Sequence, residues 1–365
     1  MTAVERRGSP FRTLPPTRTN PCAPAPDPPP SPSEGDPCDA RTRLVAPVRN
    51  ELLQVEATLD RELRSEHPFL HELSRYDAFF GGKRLRPTLL LLCGKAAGSL
   101  TPQHVTLAAA IEMIHAATLV HDDVLDDAAT RRRLPTVNVR WNGEVAVLMG
   151  DYLFSHAFRL AACSGSAEAC RIIGAATNAT CGGELKQVRS RGNLQLSEQE
   201  YFEIVEGKTA ALLACCGRLG GELAGADLAT VQRLERFGRD LGVVFQIVDD
   251  LLDVSGDPAT MGKDAVADLA KGKLTLPVIR ALSHATGRQR TKLLEILNAA
   301  CDDRRAPGLQ AELVALLAET GGLEDARRIA KQRASDALRW LDVLPASSAL
   351  DSLRALPDAA LNRSQ

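Results

Sequence analysis

Two short acidic clusters carry the strongest chemical signal in the chain. His121-Asp122-Asp123-Val124-Leu125-Asp126-Asp127 follows an apolar stretch, Ala108 to Val120, in which Glu112 and His115 are the only titratable residues. Asp249-Asp250-Leu251-Leu252-Asp253 repeats the DDxxD spacing after Val243-Val244-Phe245-Gln246-Ile247-Val248. Positions i and i+4 of a helix share a face, so Asp122 and Asp126 stand about 6 Å apart along the axis. Carboxylates at the end of a buried helix are costly unless a cation or donor neutralises them. One such cluster reads as a solvated helix end; two on apolar helices read as a site for hard cations. Mg²⁺ prefers one or two carboxylates plus phosphate oxygens to an all-protein cage, which points to a diphosphate bridged by Mg²⁺ between two acidic helices.

A site for diphosphates also needs cations, and they occur in groups. Lys83 and Arg86 lie in Gly81-Gly82-Lys83-Arg84-Leu85-Arg86-Pro87, Arg131-Arg132-Arg133 follows the first acidic cluster, Lys208 precedes Thr209, and Lys263, Lys271 and Lys273 follow the second cluster. Arginine offers phosphate a two-pronged fork and lysine a point charge, while glycine lets backbone approach closely. Each group alone reads as a solvated helix end. Together with the aspartates, and with no P-loop or GxGxxG in the chain, they outline a pocket for two diphosphates.

The elements that hold these residues are helices. From residue 41 onward the chain is rich in Ala, Leu, Glu, Arg and Val with a 3.6-residue apolar period, only 4% of the chain is aromatic, and no alternating β-branched run appears. The pattern predicts helices over 46–64, 86–97, 102–127, 141–163, 166–189, 197–222, 227–253, 273–284, 287–301, 308–319 and 323–342, broken by Gly and Pro. Helices 102–127 and 227–253 are apolar on nearly every face, as central members of an all-α bundle of about a dozen helices are.

Composition excludes several classes. The 365 residues, 44% of them apolar, can bury a large core, and a formal charge of -2 gives no overall attraction to nucleic acid or an anionic membrane. Nine cysteines without CxxC or His/Cys metal spacing read as reduced thiols in a cytoplasmic setting. No apolar run is long enough to span a bilayer. Residues 1–40 hold eleven of the 21 prolines and no large apolar residue after Leu14, so a disordered Pro-rich extension is expected there, with one helical domain over 41–365.

GGKRLRP, HDDVLDD followed by three arginines, Lys208-Thr209, Phe245 to Asp253, and Gly262-Lys263-Asp264 with Lys273 to Pro277 are similar, in order and spacing, to the motifs of the trans-isoprenyl diphosphate synthases. The resemblance spans roughly residues 45 to 345. It implies an isoprenoid-synthase-type helical bundle around a central cavity and Mg²⁺-dependent head-to-tail condensation of isopentenyl diphosphate with an allylic diphosphate. It implies about three Mg²⁺ per site, replaceable by Mn²⁺, held by Asp122, Asp126 and Asp249, with Asp123, Asp250 and Asp253 completing the acidic set. The allylic diphosphate would be held by Arg131, Lys208, Thr209, Gln246, Lys263 and Lys273, and isopentenyl diphosphate by Lys83, Arg86, His115 and Arg132. A homodimer is implied as well. Arg133 departs from the pattern, since members often have glycine there, which puts the turn in question.

The growing chain would run from the diphosphates toward the N-terminal end of the helix carrying Asp122. Thr118 and Ala117 lie four and five residues before Asp122, about 6 and 7.5 Å along the axis, and in this family an aromatic residue at the fifth position usually stops growth. The small Ala117 and Thr118 predict an open tunnel and a long all-trans product, such as a quinone side-chain precursor, with geranylgeranyl or farnesyl diphosphate synthesis as the alternative. A terpene cyclase would need a second motif of Asn/Asp, Ser/Thr and Glu instead of DDLLD, and a non-catalytic subunit would be expected to lack one cluster.

Overall fold

The computed structural model describes residues 42–76, 82–255, 269, 271–301 and 308–363. After a 3₁₀ turn at Ala46–Val48 come α1 (Arg49–Glu62), α2 (Pro68–Ser74), α3 (Leu85–Ala97) and α4 (Pro102–Leu125). A two-stranded hairpin, β1 (Thr130–Arg131) and β2 (Leu134–Pro135), leads through α5 (Val137–Arg140) to α6 (Gly143–Cys163), α7 (Ala167–Arg189) and α8 (Glu198–Val205). One π-helical turn, Glu206–Ala210, joins α8 to α9 (Ala211–Leu223), and α10 (Leu228–Ser255) carries the second acidic cluster. The chain closes with α11 (Leu276–His284), α12 (Gly287–Cys301), α13 (Leu309–Glu319), α14 (Gly322–Arg339) and α15 (Ser348–Leu361).

The described residues are thus all-α apart from the hairpin. Helix α4 starts after Thr101, whose backbone N–H donates to His104 Nδ1 at 2.9 Å, with Pro102 at its first position. It packs against α1, α3, α6 and α9, and Leu107 through Ile111, Met113, Ile114 and Ala117 are fully buried on it. Helix α10 packs against α9 and α14, with Leu234, Phe237, Leu241, Val243, Val244 and Ile247 fully buried. Both helices therefore sit inside the bundle, and both run toward their acidic ends.

Three differences from the periodicity reading have physical causes. Helix α15 is absent from that reading because Pro357 lies inside it and reads as a breaker. The predicted helix over 197–222 is interrupted at Glu206–Ala210, where the backbone widens into a π turn. The stretch after Asp127 is a hairpin whose turn residues, Arg132 and Arg133, have φ of 53° and 66°. Two consecutive left-handed residues are what a two-residue hairpin turn requires, so the position where glycine would be easier is occupied by Arg133 under strain.

Candidate active site

The first acidic cluster sits on the last turn of α4, where Asp126 caps the helix and Asp127, at φ 47°, turns the chain toward the hairpin. The three key carboxylates have different surroundings. Asp123 is buried, and Arg131 of β1 grips it as a fork: Nε donates to both carboxylate oxygens at 3.0 and 2.9 Å and Nη2 to Oδ1 at 2.7 Å. Asp126 receives Lys273 Nζ at 2.8 and 2.7 Å, Arg191 Nη2 at 3.0 Å, and Lys271 at 3.9 Å. Asp122 lies 3.7 Å from Lys208 Nζ. Burial pushes the Asp122 carboxyl upward, reinforced by Glu184 and Asp126 and opposed by Lys208. For Asp126 burial acts the same way, but Lys273 and Lys271 outweigh it and hold the carboxyl below its ordinary range.

Two glycine contacts build this cation cage. On α7, a Cβ at Gly183 would lie 2.3 Å from the backbone nitrogen of Lys208, so only glycine lets α7 touch the π turn and bring Lys208 to Gln187 Oε1 (2.8 Å) and Glu184. Gly192 and Gly272, with φ of 75° and 68°, cross with Gly192 N–H donating to Gly272 O at 2.8 Å. Their neighbours Arg191, Lys271 and Lys273 consequently converge on one carboxylate from two loops.

The second cluster divides in the same manner. Asp250 is buried and accepts from Tyr201 OH at 2.7 Å, Gln246 Nε2 at 2.9 Å and Leu276 N–H at 3.4 Å; Gln246 Oε1 in turn accepts from Thr209 at 2.8 Å. Asp249 is half-exposed and accepts from Arg363 Nη1 at 2.7 Å, just beyond α15. Asp253 lies one turn further on and is half-buried. Asp126, Lys208, Thr209, Gln246, Asp250 and Lys273 all line one cavity of about 170 Å³. Six residues singled out in sequence, from four separated segments, meet there. Lys263 lies outside the described residues.

Two turns before Asp122, along the same face of α4, is a neighbourhood of guanidinium groups around His115. Arg84, in a left-handed conformation at φ 52°, pairs with Glu56 and with buried Glu112 (3.1 Å). Arg132 Nη2 would meet a Cβ at Gly82 at 3.0 Å, which joins the GGKRLRP segment to the hairpin turn. Burial lowers the Arg86 pKa, opposed by Glu112, and its buried Nε has no hydrogen-bond partner. The neighbouring Cys216 thiol is pushed up to about 12 by burial and stays neutral. Burial first, then Arg86, Arg132, Arg131 and Arg84, drive the His115 pKa well below 6.5, so the imidazole is neutral and adds no further positive charge. A desolvated Arg86 with an orphaned donor, next to a neutral His115, is a seat for a polyanion. Lys83 is exposed beside it. The charge of Arg131 bears on this neighbourhood, whereas the motif resemblance assigned that residue to the allylic diphosphate.

Residues 67–311 match the sequence pattern of the polyprenyl synthetase family. The chain belongs to this family. It is 33% identical over 313 residues to octaprenyl diphosphate synthase of Escherichia coli (strain K12), covering 86% of this chain and 96% of that protein. Among solved structures, a polyprenyl synthase from Caulobacter crescentus CB15, complexed with calcium and isoprenyl diphosphate, superposes with a TM-score of 0.83 at 32% identity, over 89% of this chain and 98% of that one. A decaprenyl diphosphate synthase from Rhodobacter capsulatus gives 0.82 at 36% identity, over 89% and 99%. This polyprenyl synthetase is a prenyltransferase, and the two DDxxD helices, the cation cage and the guanidinium neighbourhood form its candidate active site. No helix among the described residues is long and apolar enough to cross a membrane.

The motif reading missed Arg191, Glu184, Tyr201 and Arg363. Arg191 stands four residues after Gln187, Glu184 lies in the GGEL segment, and Tyr201 sits in an amphipathic helix; none has a local pattern that marks it. Arg363 lies beyond the last helix that periodicity predicts.

Proposed function

We propose that the chain is a long-chain all-trans polyprenyl diphosphate synthase that extends an allylic diphosphate with isopentenyl diphosphate and works as a cytoplasmic homodimer. The observation that carries the reading is the convergence of Asp126, Lys208, Thr209, Gln246, Asp250 and Lys273 on one cavity, with His115 two turns before Asp122 on the same face of α4 and Arg86 acting on it. These side chains bind two diphosphates in two distinct environments, one acidic and cation-bridged, the other purely cationic.

The residues fit divalent metal. Asp122 and Asp126 are hard oxygen donors one helical turn apart, and burial of Asp122 makes an added cation favourable. Among the described residues no three carboxylate, imidazole or thiolate groups form a ready-made cage, in keeping with an ion that takes much of its coordination from substrate phosphate. Asp122, Asp126 and Asp249 would hold Mg²⁺, about three ions with Mn²⁺ able to substitute, and Mg²⁺ when bound offsets charge developing on the diphosphate leaving group.

Lys208 and Lys273 hold the allylic diphosphate as point charges, and the Thr209 hydroxyl and Gln246 amide orient it. Asp123 and Asp250, fully engaged by Arg131 and by Tyr201 with Gln246, are positioning residues. Arg86, Arg132, Lys83 and neutral His115 hold isopentenyl diphosphate so that its alkene faces the allylic carbon, and proximity supplies much of the rate. The apolar sides of α4 and α10 exclude water from the allylic cation. The proton lost after bond formation passes to the released diphosphate, so the protein supplies no general base.

Long product length is supported by the small residues before the first cluster. Ala117 is fully buried on α4, and Thr118 folds its hydroxyl back to His115 O at 2.8 Å, so neither presents a ring to an incoming tail. The names of the octaprenyl and decaprenyl relatives support it too. The dimer is supported by apolar side chains left exposed on adjoining helices, Leu148 on α6 (60% exposed) and Leu185 on α7 (71%). The test is turnover of isopentenyl and farnesyl diphosphates by Asp122→Ala and Asp249→Ala. Each is expected to lose about two orders of magnitude or more while keeping its helical circular dichroism. Near-wild-type turnover in either variant would overturn the assignment.

A further inference from the structure

A second basic concavity lies away from the aspartates, between α10 and α14. It has a volume of about 450 Å³ and is lined by Arg233, Arg236 and Arg239 of α10 and by Arg333, Arg339 and Trp340 on and just after α14. Arg236 lies about 20 Å along the α10 axis from Asp249, so this groove does not share the catalytic cavity. Five guanidinium groups face two carboxylates there, in a chain whose formal charge is -2.

The two carboxylates are already engaged. Asp240 accepts from Arg333 at 3.3 Å and from Trp340 Nε1 at 2.8 Å, and Asp336 pairs with Arg339 at 3.3 Å. Arg239 pairs with Glu235 at 3.6 Å. Among the described residues no carboxylate lies within 4.0 Å of the guanidinium of Arg233 or Arg236. Arg236 is nonetheless held in place, its guanidinium 4.8 Å from the centre of the Trp340 ring, while Arg333 sits 5.3 Å from that of Phe202. A surface helix pair needs only scattered, mutually paired charges. Here two unpaired arginines, one fixed on an indole, share a concave surface with three others. Stacking removes part of the side-chain entropy that anion binding would otherwise cost, and the guanidinium fork matches phosphate oxygens two at a time.

We infer that this groove is a binding site for a phosphoryl anion, separate from the substrate sites, with Arg233 and Arg236 as its principal ligands. The shared chemistry is an anionic phosphoryl group whose non-bridging oxygens accept from guanidinium N–H groups. It has two sources: free diphosphate, which the condensation releases, or the headgroup of an anionic lipid.

Trp340 is one of only two tryptophans, the other being Trp141. In full-length Trp141→Phe protein without Mg²⁺, Trp340 emission is recorded while inorganic diphosphate is added. The same protein is sedimented with phosphatidylglycerol vesicles and with phosphatidylcholine vesicles. The inference expects either a saturable emission change or cosedimentation with the anionic vesicles alone. It also expects the Arg233→Ser/Arg236→Ser double variant to weaken that response at least tenfold, with turnover of the prenyl substrates within twofold of wild type. The first response identifies free diphosphate as the ligand and the second a lipid headgroup. Where the emission response identifies free diphosphate, calorimetric titration of diphosphate into wild-type protein and into the double variant repeats the test without altering Trp141, and wild type should bind one more equivalent. No saturable emission change together with no vesicle binding, or responses and stoichiometry unchanged by the double substitution, would overturn the inference.

Discussion

Asp126 and Lys273 are 147 positions apart in the chain, yet the lysine ammonium donates to both oxygens of the carboxylate, at 2.8 and 2.7 Å. This pair ties the end of α4 to the loop before α11, and the crossing of Gly192 over Gly272 fixes that loop. In the absence of substrate, Lys273, Arg191 and Lys271 supply the positive charge that Asp126 needs. A divalent metal held by Asp126 in the proposed site would supply that charge instead, leaving Lys273, Arg191 and Lys271 to phosphate oxygens.

Lys273→Met should therefore weaken allylic substrate binding selectively. A charge-assisted contact contributes about 1.5–3 kcal/mol, so KM for farnesyl diphosphate is expected to rise roughly tenfold or more, with KM for isopentenyl diphosphate changing less than about threefold. Steady-state kinetics with each substrate varied separately checks this. Equal changes in both would mean that Lys273 supports the fold of the whole site.

Arg363 Nη1 donates to Asp249 at 2.7 Å, so in the proposed site it would compete with metal for that carboxylate. Removing it with Arg363→Ala uncovers the carboxylate, and because the pair is partly exposed its contribution is modest, about 0.5–1 kcal/mol. Half-saturation by Mg²⁺ in the turnover assay should fall by about two- to fivefold. A higher Mg²⁺ requirement would show instead that Arg363 holds Asp249 in its working position.

Arg133 holds the left-handed place of a hairpin turn at φ 66°. Arg133→Gly should relieve steric strain and stabilise the protein by about 1 kcal/mol, read as a higher urea midpoint at unchanged slope. Destabilisation would reveal contacts of the Arg133 side chain that outweigh the strain.

The acid side of the stability profile should depend on His115. Its folded pKa lies well below the ordinary 6.5. Above pH 6.5 the imidazole is neutral in both states and its contribution is complete. Below that pH the unfolded chain takes up a proton that the folded protein refuses, so stability falls by up to about 1.4 kcal/mol per pH unit until the depressed folded pKa is reached. His115→Gln should flatten this loss in urea titrations run between neutral pH and pH 5. His104 and His156 have lowered pKa values too and remain in both proteins, so the difference between the two curves isolates His115.

The architecture was legible because α4 and α10 combine all-round apolarity with acidic ends, a pattern that places a helix inside a bundle and its terminus at a polar site. The carboxylates were legible by type but not by role. Nothing in DDxxD distinguishes Asp122 from Asp123, or Asp249 from Asp250. The distinction comes from Arg131 on β1 and from Tyr201 on α8, partners that meet them only once the chain has folded. Arg191 and Arg363 escaped notice for the same reason, since contacts over 65 and 114 positions leave no local period. Helix α15 was hidden by Pro357, tolerated there because the helix is anchored by buried Leu350, Leu353 and Leu356.

The most direct test of the account is reversed-phase chromatography of dephosphorylated products from wild-type enzyme supplied with Mg²⁺, farnesyl diphosphate and excess isopentenyl diphosphate. The account predicts all-trans chains clearly longer than twenty carbons, roughly six to ten isoprene units, shortened when Ala117→Phe places a ring about 7.5 Å from Asp122 along α4. A wild-type product that stops at twenty carbons, or a long product that Ala117→Phe leaves unchanged, would contradict it.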